Sequence, residues 1–176
     1  MNTYLWLDCE NETASATLNR ELCRMLSSPR FRKRHGRYPV IFLCIGTPKI
    51  PGDCLGPCLG SLLSKYTDFC VMGTLSAPVH AGNLKKIKAR LRRDFPHSII
   101  IAIDAAIGTA GQMGYITLRR GPLKPGLGLG KKLPPIGHIQ ITGVFQEMYG
   151  SHAQKQMENY CLCLFKGLSS LFTADL

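Results

Sequence analysis

The chain lacks a long hydrophobic run. None of its windows reaches the roughly 20 consecutive apolar positions that span a bilayer. Its first residues, MNTYLWLDCENETA, are acidic and lack the basic leader and extended apolar centre of a secretory signal. A cytoplasmic protein with no membrane association is therefore expected. Motifs for several chemistries are also missing. GLGLGKK has neither the spacing nor the terminal Ser/Thr of a phosphate-binding P-loop. GTPKIPG is not a dinucleotide fingerprint, and no G-x-S-x-G elbow occurs. No internal repeat is present. Acidic residues are scarce, at 11 Asp and Glu against 22 Lys and Arg, which leaves a net charge of +11.

What the chain does contain is a globular composition, 45% hydrophobic and 19% charged. Its 176 residues suit a single domain over 1–176 with a real core. Eight cysteines, at 9, 23, 44, 54, 58, 70, 161 and 163, lie mostly in apolar runs and read as reduced, buried thiols. Cys54 and Cys58 have zinc-ligand spacing, but Cys161 and Cys163 are too close together to supply a matching pair, which argues against zinc. Much of the positive charge sits in RFRKRHGR (30–37) and LKKIKARLRR (84–93). The second is an amphipathic helix, with Leu84, Ile87 and Leu91 on one face and a basic outer face. Such runs serve solubility, or attract nucleic acid or an acidic partner. Aromatic residues are not interleaved with them, so nucleic acid is not the expected partner.

Hydrophobic periodicity predicts helices over 13–27, 58–66, 80–95 and 153–172. Buried strands are expected at 38–46, 68–74, 97–105 and 138–145, and a more exposed one at 114–121. Residues 121–137 hold four prolines and five glycines and read as a long functional loop. Strands alternating with helices imply an α/β fold, a mostly parallel twisted sheet flanked by helices. Sites in such sheets lie beyond the carboxyl ends of the strands.

Two carboxylates reach that edge by this reading. Asp53 lies in the Gly/Pro-rich loop after the first of these strands, and Asp104 ends the strand in IIIAIDA. Each could simply cap the turn or helix that follows it. Together they could form an acid–base pair with separated pKa values, or two oxygen ligands of a divalent metal. His80 could be a third ligand, a base, or a helix-start residue. His138 ranks below it. Lys131 and Lys132 could bind a carboxylate or an acidic peptide, or be solvated. Cys54 would need a base or a lowered pKa to act as a nucleophile.

Four blocks in order, CIGTPKIPGDCLGP, VMGTLSAPVHAGNL, IIAIDAAIG and GPLKPGLGLGKKLPPIGHIQITGV, resemble the YyaC sporulation protein family of spore-forming bacteria. The resemblance covers about 39–144. That family is similar to the germination protease and to the hydrogenase maturation endopeptidases. The resemblance implies a three-layer α/β sandwich of the phosphorylase/hydrolase-like type. It also implies a sporulation-associated peptidase in which Asp53, matching a PDALGP block, and Asp104, matching an IDA block, are catalytic. In the maturation peptidases the same two positions, with a histidine, bind nickel of the substrate. PGLGLGKK echoes a glycine-rich segment of the germination protease. Cys54 departs from the small Ser or Ala usual in the family, and His138 from an acidic residue. The expected substrate contacts are Gly46, Thr47, Gly56, His80, Asn83, Lys131 and Lys132. The partner is then a protein or peptide, such as a spore protein, and no cofactor is required. Two alternatives stand beside this one: a divalent metal at Asp53, Asp104 and His80, and a non-catalytic binding or regulatory protein on the same fold.

Overall fold

The computed structural model describes residues 4–29, 31, 39–126 and 133–171. Six strands form one sheet: β1 (Tyr4–Asp8), β2 (Val40–Cys44), β3 (Cys70–Met72), β4 (Ile99–Ile107), β5 (Tyr115–Arg120) and β6 (Ile139–Phe145). Their order is β1-β5-β6-β4-β2-β3. The four strands β6, β4, β2 and β3 run parallel, and β5 is antiparallel to both β6 and β1. The helices are α1 (Ala14–Leu26), α2 (Leu55–Tyr66), α3 (Leu84–Asp94) and α4 (Gly150–Ser169).

Each parallel strand feeds side chains alternately to two faces. In β2, Phe42 and Cys44 pack on the face covered by α1, α2 and α4, while Ile41 and Leu43 pack on the face covered by α3. All four are fully buried, which is why VIFLC is apolar without alternation. In α1, Leu18, Leu22 and Met25 recur at helical spacing and are fully buried, each contributing about 1.5–3 kcal/mol by leaving water. In α3 only Leu84 and Leu91 are fully covered, so its remaining residues can be basic. The result is the α/β fold in three layers.

The structure corrects several expectations. A sixth strand, β1, lies in a short segment beside the acidic CENE: Leu7 points into the core while Trp6 is half-exposed. The strand 114–121 is not at an exposed edge. As β5 it lies between β1 and β6, with Ile116, Thr117 and Leu118 buried. The glycine-rich loop is shorter than expected, because a 3-10 turn (Gly52–Cys54) leads directly into α2 at Leu55. Pro57 is tolerated there because first-turn N–H groups have no helical acceptor. Asp104 does not end its strand. Pairing with β6 continues through Ile107, so the carboxylate lies within the sheet. Within 121–137, Leu123 and Ile136 form a buried antiparallel bridge. Lys131, Lys132 and nearly all of the basic segment 30–37 fall outside the described residues.

Candidate active site

Asp53 owes its position to close backbone packing where β2 ends. Gly46 has a φ of +147°, and a Cβ there would lie 2.0 Å from the Asp53 carbonyl oxygen. Gly56 presses the first turn of α2 against the Ile45 carbonyl, where a Cβ would sit at 2.1 Å. Gly46 N–H donates to the Val79 carbonyl (2.8 Å), and Gly52 N–H donates to the Met148 carbonyl (2.9 Å). These contacts seat the loop on two neighbouring connections. The Asp53 carboxylate turns back into its own loop, where Oδ2 accepts the Thr47 N–H at 2.9 Å. It therefore does not cap α2 with its side chain.

Asp104 is 8% exposed. Strand alternation puts it on the same face as Ile100 and Ala102, the face that α3 covers. Its carboxylate accepts the neighbouring Ala105 N–H at 3.0 Å. Burial pushes its pKa well above the usual carboxylate range, the nearby Asp53 charge pushes it further, and the Ala105 N–H opposes both. The two aspartates thus feel one another electrostatically and differ in environment. One is buried and favours its proton. The other is half-exposed and accepts a backbone donor.

The other candidates separate into groups. Thr47 lies beside Asp53, with its N–H on the carboxylate and its Oγ1 accepting Lys49 N–H. Gly46 and Gly56 are buried, and their contacts are with backbone. His80 and Asn83 build the start of α3. His80 N–H donates to Asn83 Oδ1 (2.9 Å), His80 Nδ1 accepts Gly82 N–H (3.1 Å), and Asn83 Nδ2 donates to the Pro78 carbonyl (2.9 Å). Among the described residues no three His, Cys, Asp or Glu side chains gather as a metal-ligand group. The metal alternative at Asp53, Asp104 and His80 therefore has no assembled ligand set among the described residues, and His80 Nδ1 is taken by its own turn. His138 has a structural task as well, with Nδ1 accepting Ile100 N–H at 3.0 Å.

The thiols beside Asp53 are not activated. Cys54 and Cys58 touch at 3.2 Å. Burial first, then the Cys58 contact, pushes Cys54 up to about 12, which disfavours a nucleophilic thiolate beside Asp53. Sequence reasoning passed over three exposed apolar residues that follow the strand ends around the aspartates: Leu75 after β3, Ile107 at the end of β4 and Tyr149 after β6. Their signal was available as isolated large apolar residues in polar connections.

Residues 7–163 match the family described as Protein of unknown function (DUF1256). Over 131 residues the chain is 39% identical to the protein of Bacillus subtilis (strain 168) named "Uncharacterized protein YyaC", a match that takes in 73% of this chain and 63% of that relative's length. Among solved structures, the [NiFe] hydrogenase maturation protease HycI from Thermococcus kodakarensis KOD1 is similar over 82% of this chain and 98% of its own, with a TM-score of 0.42 and 15% identity. No helix among the described residues is long and apolar enough to cross a membrane. On the extent of the family match, the chain belongs to the DUF1256 family.

Proposed function

We propose that the protein is a peptidase of the kind its sequence blocks resemble, hydrolysing a protein or peptide substrate with Asp53 as base and Asp104 as acid. The observation that carries this reading is the buried, proton-retaining Asp104 within electrostatic reach of a half-exposed Asp53. Water attacks the scissile carbonyl carbon while the Asp53 carboxylate takes its proton. The Asp104 carboxyl gives its proton to the departing nitrogen as the C–N bond breaks. Return of one proton from Asp53 to Asp104 restores the pair. Thr47 N–H holds the Asp53 carboxylate in place through this cycle. Leu75, Ile107 and Tyr149 would meet apolar side chains of the substrate. The YyaC-like blocks support a role in spore-forming cells, with a spore protein as substrate.

The test is cleavage of a proteome-derived peptide library, read by mass spectrometry as new termini. Wild type should generate a consistent set. Asp53→Asn and Asp104→Asn should each lose about 10²–10⁴-fold in rate while keeping a folded circular dichroism spectrum. Cleavage by either variant at the wild-type rate refutes the mechanism. Absence of any cleavage by wild type favours the non-catalytic binding protein instead.

A further inference from the structure

A cavity of about 240 Å³ opens at the amino end of the parallel strands, between the last turns of α3, the start of β4 and the segment leading into β6. Its apolar wall includes Leu91, Phe95 and Ile136. Its polar lining includes Lys88, Arg92 and Ser98. An apolar cavity of roughly 150 Å³ holds benzene, so this one has room for a substituted ring or a short chain with a polar head.

Three features give the cavity a ligand preference. Ser98 is only 4% exposed, and its N–H donates to the Phe95 carbonyl, but its hydroxyl has no partner among the described residues. A buried hydroxyl in that condition is costly unless something binds it. Lys88 and Arg92 are four residues apart on α3 and so share a face. The helix has a single acid, Asp94, and it engages Arg90 (3.5 Å) and Arg93 (2.7 Å). Lys88 and Arg92 therefore have no carboxylate partner among the described residues, although Lys88 Nζ does donate to the Pro135 carbonyl. A cation in the last turn of a helix needs no ligand to explain it. That account covers Arg92 but not the cavity or the orphaned Ser98 hydroxyl.

We infer that this cavity binds a small organic anion, a phosphate or carboxylate head on a compact apolar body. The head would take N–H donors from Lys88 and Arg92 and the Ser98 hydroxyl, and the body would lie against Leu91, Phe95 and Ile136. Ser98 lies about 20 Å along β4 from Asp104, at about 3.3 Å per residue, so the site is separate from the aspartates and does not depend on the peptidase reading.

The test is a titration of the whole chain followed by amide chemical shifts, with phenyl phosphate, benzoate, inorganic phosphate and benzyl alcohol as probes. Phenyl phosphate or benzoate should shift the Ser98, Ile100 and Gly137 amides saturably. Whichever binds more tightly assigns the head group. Inorganic phosphate and benzyl alcohol, each lacking one half of the ligand, should bind more weakly. Lys88→Gln, Arg92→Gln and Ser98→Ala should each weaken the better probe about tenfold. Because Arg92 is exposed and Ser98→Ala is conservative, those two variants should fold even if Lys88→Gln does not. No saturable shift with either aromatic anion up to about 10 mM, or unchanged affinity in Arg92→Gln and Ser98→Ala, overturns the assignment.

Discussion

Gly56→Ala should destabilise the protein even though alanine is the better helix former. The added Cβ would lie 2.1 Å from the Ile45 carbonyl oxygen, and 2.7 and 2.8 Å from that residue's carbonyl carbon and nitrogen. These atoms cannot swing aside. Ile45 N–H is bonded to the Ile103 carbonyl at 2.7 Å, and Ile45 is bridged to Val79. The start of α2 must back away by roughly 1 Å before repulsion gives way to contact. Overpacking on this scale costs about 1–3 kcal/mol, against about 0.4–1 kcal/mol gained from a stiffer unfolded chain. A net loss of about 1–2 kcal/mol is expected. Gly111 is the control, because a Cβ there meets nothing within 4 Å and its φ is unexceptional. Gly111→Ala should be neutral or slightly stabilising. Urea unfolding of both variants decides the matter. If Gly56→Ala is as stable as Gly111→Ala, the close seating of α2 on β2, and with it the explanation of how Asp53 is held, is wrong.

Two further perturbations follow from buried polar groups. The Tyr160 hydroxyl on α4 donates to the Val144 carbonyl and accepts Gly114 N–H at 3.0 Å, joining the helix to the start of β5 and the end of β6, which lie side by side. Tyr160→Phe leaves both partners unsatisfied and should cost about 1–3 kcal/mol in urea unfolding, whereas an unchanged midpoint would mean that water replaces the hydroxyl. Asp104→Asn should change how stability depends on pH. The folded protein retains the Asp104 proton to a higher pH than the unfolded chain does, so this group's stabilisation is complete below about pH 4. It declines by about 1.4 kcal/mol per pH unit above that, until the folded carboxyl itself ionises. The asparagine variant lacks this titration and should gain on wild type as pH rises from 4, and parallel pH profiles would contradict a raised Asp104.

The parallel half of the sheet was legible in the sequence because VIFLC and IIIAI are apolar without alternation, the mark of strands covered on both faces. The antiparallel half was less so. YLWLD is only five residues long and runs into the acidic CENE, and nothing local says that it pairs with YITLRR. The two aspartates were found because Asp104 follows an apolar run and Asp53 is the single carboxylate of a Gly/Pro-rich loop. Their environments were not legible: nothing in IIIAIDA says that the strand continues past Asp104, and nothing in IPGDC says that Asp53 takes the Thr47 N–H. His80 looked like a ligand by its position near the strand ends, yet a histidine three residues before an asparagine at a helix start is held by that turn. The cavity beneath α3 could not be read at all, since its walls come from three separated segments.

The Asp53 charge raises the Asp104 pKa, so the two carboxylates form one electrostatic unit. This coupling is tested most directly by following the Asp104 carboxyl carbon by NMR through a pH titration, in wild type and in Asp53→Asn. The midpoint should lie above the usual carboxylate range in wild type and move down when the Asp53 charge is removed. An ordinary midpoint in wild type, or one that Asp53→Asn leaves where it was, would contradict it.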